Sequence, residues 1–167
     1  MKAIETLVSA IGFGLSASVL AAPAVEVKFI DPARYADATP SGSYIARERE
    51  QILTELRSHL QTAGARYLGS DDRLAIEVLD VDLAGALVAW RARDRDVRVL
   101  RETAIPRVRL HYSLIRGGVE SHGEEDITDP SFLQSSRCSG GLPLCYEKQM
   151  LDRWFARLMA ARPQPSQ

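Results

Sequence analysis

Past its first two dozen residues the sequence has no second long apolar run, so the remainder is not expected to cross a membrane as a helix. Charge of neither sign dominates. Twenty-one Lys and Arg face 22 Asp and Glu, for a net charge of −1. So neutral a balance offers no general attraction to nucleic acid and argues against that partner. Cysteine is scarce, with two in 167 residues. Neither stands near the end of the apolar leader, so a lipid-anchored form is not indicated. No H-E-x-x-H, G-x-S-x-G, phosphate-loop Lys-Ser/Thr, EF-hand or C-x-x-C pattern occurs, and no internal repeat. No cofactor is therefore expected. What remains is one domain's length of ordinary globular composition, 46% hydrophobic and 26% charged.

The start of the chain reads differently from the rest. Lys2 gives a short positive beginning, blemished by Glu5. Leu7 to Leu20 is free of charge and mostly apolar, and small residues follow at Ala21, Ala22 and Ala24. This is the three-part pattern of a cleavable signal peptide. A buried N-terminal helix is the competing reading; Ser, Gly and Ala along the run, with no polar face, disfavour it. Cleavage after Ala24 fits the small-x-small rule, with Ala21 as the alternative. The expected organisation is a leader over 1–24, a single domain over 25–160 and a disordered tail over 161–167, in a periplasmic protein. In such a compartment Cys138 and Cys145 could pair. Closing so short a loop would stabilise by about 2.5 kcal/mol. Two free thiols is the other reading, and the sequence does not choose between them.

Val25 to Ile30 alternates apolar and polar residues and reads as a strand, stopped by Asp31-Pro32. A loop follows to Gly42. Ser43 to Ala63 reads as a long helix with Ile45, Ile52, Leu53, Leu56, Leu60 and Ala63 on one face, and Gly64 as its stop. Leu74 to Leu83 is a second strand. Its apolar phase slips between Val78 and Leu79, which predicts a β-bulge there. The stretch from Ala84 to Asp96 reads as a connection, followed by a short extended piece over 97–100. Val108, Leu110, Tyr112 and Leu114 alternate with polar residues as a third strand. Gly117-Gly118 turns the chain into a fourth, over 119–127. Pairing opposite charges sets the hairpin's register: Ile115 opposite Glu120, His111 opposite Glu124, Arg109 opposite Asp126, with Tyr112 covering Gly123. A loop then runs to Leu142. Pro143 suits the first turn of a last helix, with Met150, Leu151, Trp154, Leu158 and Met159 as its apolar face and Phe155 on the flank. The expected fold is α+β, in the order β-α-β-β-β-α. It is a four-stranded, mostly antiparallel sheet with two amphipathic helices packed on one face and a charged face opposite.

Several phrases taken together carry a resemblance. They are V-E-V-K-F-I-D-P (25–32), Y-I-A-R-E-R-E (44–50), I-E-V-L-D-V-D-L-A-G (76–85), P-R-V-R-L-H-Y-S-L (106–114) and Y-E-K-Q-M-L-D-R-W-F (146–155). The set resembles an exported proteobacterial family, domain-of-unknown-function family 3016, over nearly the whole chain after the leader. The phrase over 76–85 is its most specific part. The family implies no activity. Cys138 and Cys145 fall outside its pattern, so a disulfide would be particular to this chain. The element order also resembles the two-helix, four-strand modules of envelope-assembly proteins, a likeness of fold with little weight for function.

Candidate chemistry is thin. Glu77, Asp80 and Asp82 share a strand. They read either as a cation site or carboxylate pair or, more simply, as a wet strand face balanced by Arg107 and Arg109. His59, His111 and His122 stand on different elements and in no ligand pattern. His111 and His122 lie near each other across the hairpin, with Glu124 close. Trp90 among Arg91, Arg93 and Arg95 is the most partner-like segment, because Trp and Arg are enriched at binding hot spots. Pairing of these arginines with Asp94, Asp96 and the acidic strand is the plainer account. The leading expectation is a non-enzymatic binding or envelope-assembly module. It would meet an envelope protein or an anionic envelope ligand through the charged face and the Trp90 loop. The rival is a small hydrolase or metal-binding enzyme using Asp80, Asp82 and His111.

Overall fold

The computed structural model describes residues 24–38, 43–90, 95–135, 137–138 and 143–161. Residues 1–23 of the expected leader and 162–167 of the expected tail lie outside these residues.

Alternating apolar residues make the strands, and the helices cover the face those residues share. Strand β1 (Val25–Phe29) leads through two short 3-10 turns, Pro32–Arg34 and Ala36–Ala38, towards helix α1 (Ser43–Ala65). Strand β2 (Arg73–Asp82) follows, then β3 (Ala86–Trp90) and β4 (Arg95–Val99). Strands β5 (Arg107–Arg116) and β6 (Val119–Thr128) form the long hairpin. A single turn of helix, α2 (Phe132–Ser135), precedes α3 (Cys145–Ala160).

The main sheet has the order β1-β2-β5-β6. Strands β2, β5 and β6 pair antiparallel, whereas β1 runs parallel to β2. The sheet is therefore mixed. Parallel neighbours need a long connection, and α1 supplies it. Buried Leu56, Leu60 and Ala63 of α1 and Met150, Leu151, Trp154, Phe155 and Met159 of α3 join Val25, Val27, Leu74, Ile76, Val78, Val108, Leu110, Leu114 and Ile127 in one core. Both helices thus sit on one face. Trp154 packs edge-on to Tyr112 and tilted on Phe155.

The hairpin has the register that charge pairing gives: Ile115 opposite Glu120, His111 opposite Glu124 and Arg109 opposite Asp126. Gly117 and Gly118 both take positive φ, which the tight turn requires. Tyr112 lies so close over Gly123 that a Cβ there would stand 3.0 Å from its ring. The register of β2 against β5 shifts between Val78 and Asp80, where the apolar phase slips.

Four features depart from the sequence reading. The stretch taken as a connection is a second sheet, β3 paired antiparallel with β4 from Ala86 opposite Val99 to Trp90 opposite Arg95. Between these strands the sequence has no Gly, Pro or Asn and only Asp94 as a turn-forming residue, so the pairing is weakly signalled. Gly64 does not end α1 but lies inside its last turn. A Cβ at Gly64 would come within 2.9 Å of Val25 Cγ2, so glycine serves close packing there. Pro143 precedes α3, whose N-cap is Leu144. The loop after Pro130 holds α2, whose Phe132 is fully buried against Tyr146.

Candidate functional site

Both long helices lie on one side of the sheet, and among the described residues the other side is left open. It carries the polar half of every strand. Three rows cross it: Glu77–His111–Glu124, Asp80–Arg109–Asp126 and Asp82–Arg107–Thr128. The sequence candidates Glu77, Asp80, Asp82, Arg107, Arg109 and His111 are therefore brought onto one surface. His122, opposite Ser113, joins them. His59 belongs to the helix side, where Nε2 pairs with Asp152 at 3.0 Å. Burial lowers its pKa.

Side-chain pairing does not simply follow the rows. Arg107 forks diagonally onto Asp126, at 2.7 and 2.9 Å. This bidentate hydrogen bond holds the Asp126 carboxyl below its ordinary range and raises Arg107. Arg109, which faces both Asp80 and Asp126 across the strands, is left without either. Its Nε is buried and makes no hydrogen bond among the described residues. His111 Nε2 meets Glu124 at 3.0 Å. These pairs are half exposed and add little to stability. Asp82 is pushed above the ordinary carboxyl range by burial first, then by Asp37 and Asp80.

One corner of the open face is folded into a groove. The bulge in β2 makes this possible, because it breaks the register around Leu79 and leaves the strand's polar groups to be met by the segment after β1. Val78 O accepts from Ile30 N–H at 2.9 Å and from the buried Tyr35 hydroxyl at 2.7 Å. Burial pushes the Tyr35 pKa up to about 12. Ala36 N–H donates to Asp80 Oδ1 at 2.8 Å. Asp37 accepts from Leu83 N–H at 3.0 Å and pairs with Arg98 at 2.9 Å. So stapled, residues 30–36 wall a groove of about 490 Å³, lined by Ile30, Asp31, Arg34, Ala36, Leu79, Asp80 and Arg109. A volume of that size suits a small ligand.

The groove gathers Asp80 and Arg109 from the sequence candidates and adds Ile30, Asp31, Arg34, Ala36 and Leu79. Asp82 and His111 do not line it. The phase slip at Val78 was the one sequence signal near it. Among the described residues no three His, Cys, Asp or Glu are grouped to hold a metal ion. Arg91 and Arg93 lie outside the described residues, and Trp90 is placed only by its backbone, opposite Arg95. Cys138 and Cys145 form a disulfide that fastens the loop before α3 to its first residue. No helix among the described residues is long and apolar enough to cross a membrane.

The fold defines an α+β domain whose two long helices share one face of a mixed four-stranded sheet. A family model described as "Protein of unknown function (DUF3016)" matches residues 23–157, and the chain belongs to that family. No curated protein and no solved structure matches it.

Proposed function

We propose that this chain is an exported, non-enzymatic binding module of the cell envelope, working in the periplasm. The observation that carries the reading is the open sheet face. Both amphipathic helices are spent on one side, while the other presents three charged rows and a groove. A face of mixed sign suits a partner with complementary charge, because like-charge contacts then reject wrong partners. The leader pattern at 1–24 and the disulfide support the oxidising compartment. The segment of Trp90, Arg91 and Arg93 is the second contact in this reading. The expected partner is an envelope protein. For the hydrolase alternative, Asp80 lines the groove but Asp82 and His111 do not, so no observation favours it.

The test is site-specific photo-crosslinking in the native envelope. A photoreactive residue replaces exposed Ala75 in the open face, or exposed Thr62 on the helix side. A discrete adduct from position 75 that is missing from position 62 supports the reading. Equal labelling from both sides, or none from position 75, refutes it.

A further inference from the structure

The groove at the corner of the open face has a charge pattern of its own. Two cations, Arg34 and Arg109, and two anions, Asp31 and Asp80, line it together with the apolar atoms of Ile30, Ala36 and Leu79. The neighbouring charges are already paired, Arg107 with Asp126 and Arg98 with Asp37. Among the described residues neither Arg34 nor Arg109 joins an ion pair, and Arg109 Nε is buried without a hydrogen bond. Asp80 gives one oxygen to Ala36 N–H. Asp31, which is exposed, makes no side-chain hydrogen bond among the described residues.

We propose that this groove is a subsite for a small zwitterion of the α-amino-acid class with an apolar side chain. The proposal rests on the reading of the open face as the binding surface. The ligand carboxylate lies between the two guanidinium groups, which match a carboxylate's two oxygens. Its ammonium lies at Asp31, and its side chain lies on Ile30 and Leu79. Charge decides against a plain anion. A phosphate dianion gains two arginines but faces two carboxylates in the same small volume, whereas a zwitterion meets each sign with its opposite. Charge likewise decides against a plain amine, which would leave both arginines unanswered.

The experiment is a titration of the full chain, disulfide intact, followed by the amide resonances of Ile30, Ala36, Asp80 and Arg109. The probes are L-leucine, 4-methylpentanoate, which lacks the ammonium, 3-methylbutylamine, which lacks the carboxylate, and inorganic phosphate. L-Leucine is expected to move these four amides saturably, with each singly charged analogue weaker by about tenfold or more, the scale of one charge-assisted hydrogen bond. Arg109→Gln and Asp31→Asn are each expected to weaken leucine by about tenfold. Phosphate binding as tightly as leucine overturns the proposal. So does a titration in which leucine leaves the four amides unmoved. Crosslinking from position 75 that survives such a failure leaves the open-face reading standing and removes only the subsite. Leucine binding without any crosslink does the reverse.

Discussion

Tyr35→Phe deletes one oxygen from the staple that shapes the groove. Tyr35 is 4% exposed, and its hydroxyl donates to Val78 O at 2.7 Å. A neutral hydrogen bond of this kind contributes a net of about 0.5–1.5 kcal/mol, and orphaning a buried carbonyl costs about 1–3 kcal/mol. The second figure does not apply, because Val78 O keeps the Ile30 N–H at 2.9 Å. The ring also stays, so apolar burial is nearly unchanged. The expected loss is about 1 kcal/mol, or roughly 2–5 °C in Tm for a domain of this size. Urea denaturation measures the global part. Hydrogen exchange measures the local part, in the segment after β1 that Tyr35 anchors. The amides of Ala36 and Leu83, which donate to Asp80 and Asp37, are expected to exchange about fivefold faster than in the parent. A loss above about 3 kcal/mol would mean that the carbonyl was orphaned after all. Unchanged exchange at Ala36 and Leu83 would mean that Tyr35 does not hold the groove wall. Either result refutes the reasoning.

Three further outcomes follow from packing, burial and covalent closure. Gly64→Ala gains about 1 kcal/mol of helix propensity but forces a methyl to 2.9 Å from Val25, an overpacking cost of about 1–3 kcal/mol, so a net loss of about 1 kcal/mol is expected. That loss should vanish in a Val25→Ala background, and a strictly additive double mutant would refute the clash. Glu147 is 3% exposed and accepts from Ala84 N–H at 2.7 Å, and burial raises its pKa. A raised carboxyl favours folding below its ordinary pKa and loses that advantage as pH climbs through the raised value. Glu147→Gln should therefore gain on the parent as pH rises above the ordinary carboxyl range in urea melts, and a parent that gains instead contradicts the sign. Replacing Cys138 and Cys145 together by Ser should cost about 2.5 kcal/mol in urea denaturation, and reducing the parent should cost the same; no difference between oxidised and reduced protein would rule this out.

Features governed by neighbours in sequence were the legible ones. The β5–β6 register could be read because a two-glycine turn fixes the offset and every opposed charge then agrees, with Tyr112 above Gly123. The bulge could be read because a single displaced apolar residue, Leu79, shifts the phase of β2. The groove could not, because its walls come from Asp31, Arg34 and Ala36, which carry no periodic pattern. Their positions depend on hydrogen bonds to residues more than 40 places away, Tyr35 to Val78 and Ala36 to Asp80. Phe132 looked like a loop residue for the same reason, its burial being decided by contact with Tyr146 on α3. The expected Arg109–Asp126 pair shows the other limit. Register placed them opposite, but side-chain length let Arg107 reach the carboxylate diagonally. That exchange takes Asp126 away from Arg109.

Strand β6 bounds the main sheet on one side, and its ten residues include Glu120, Glu124, Glu125 and Asp126. An outermost strand of that length is a template for a neighbouring molecule to extend, the first step of amyloid-like stacking. Here a second copy laid alongside in parallel register would set Glu120, Glu124, Glu125 and Asp126 each against its own like, so the acidity of β6 works against these chains zipping together.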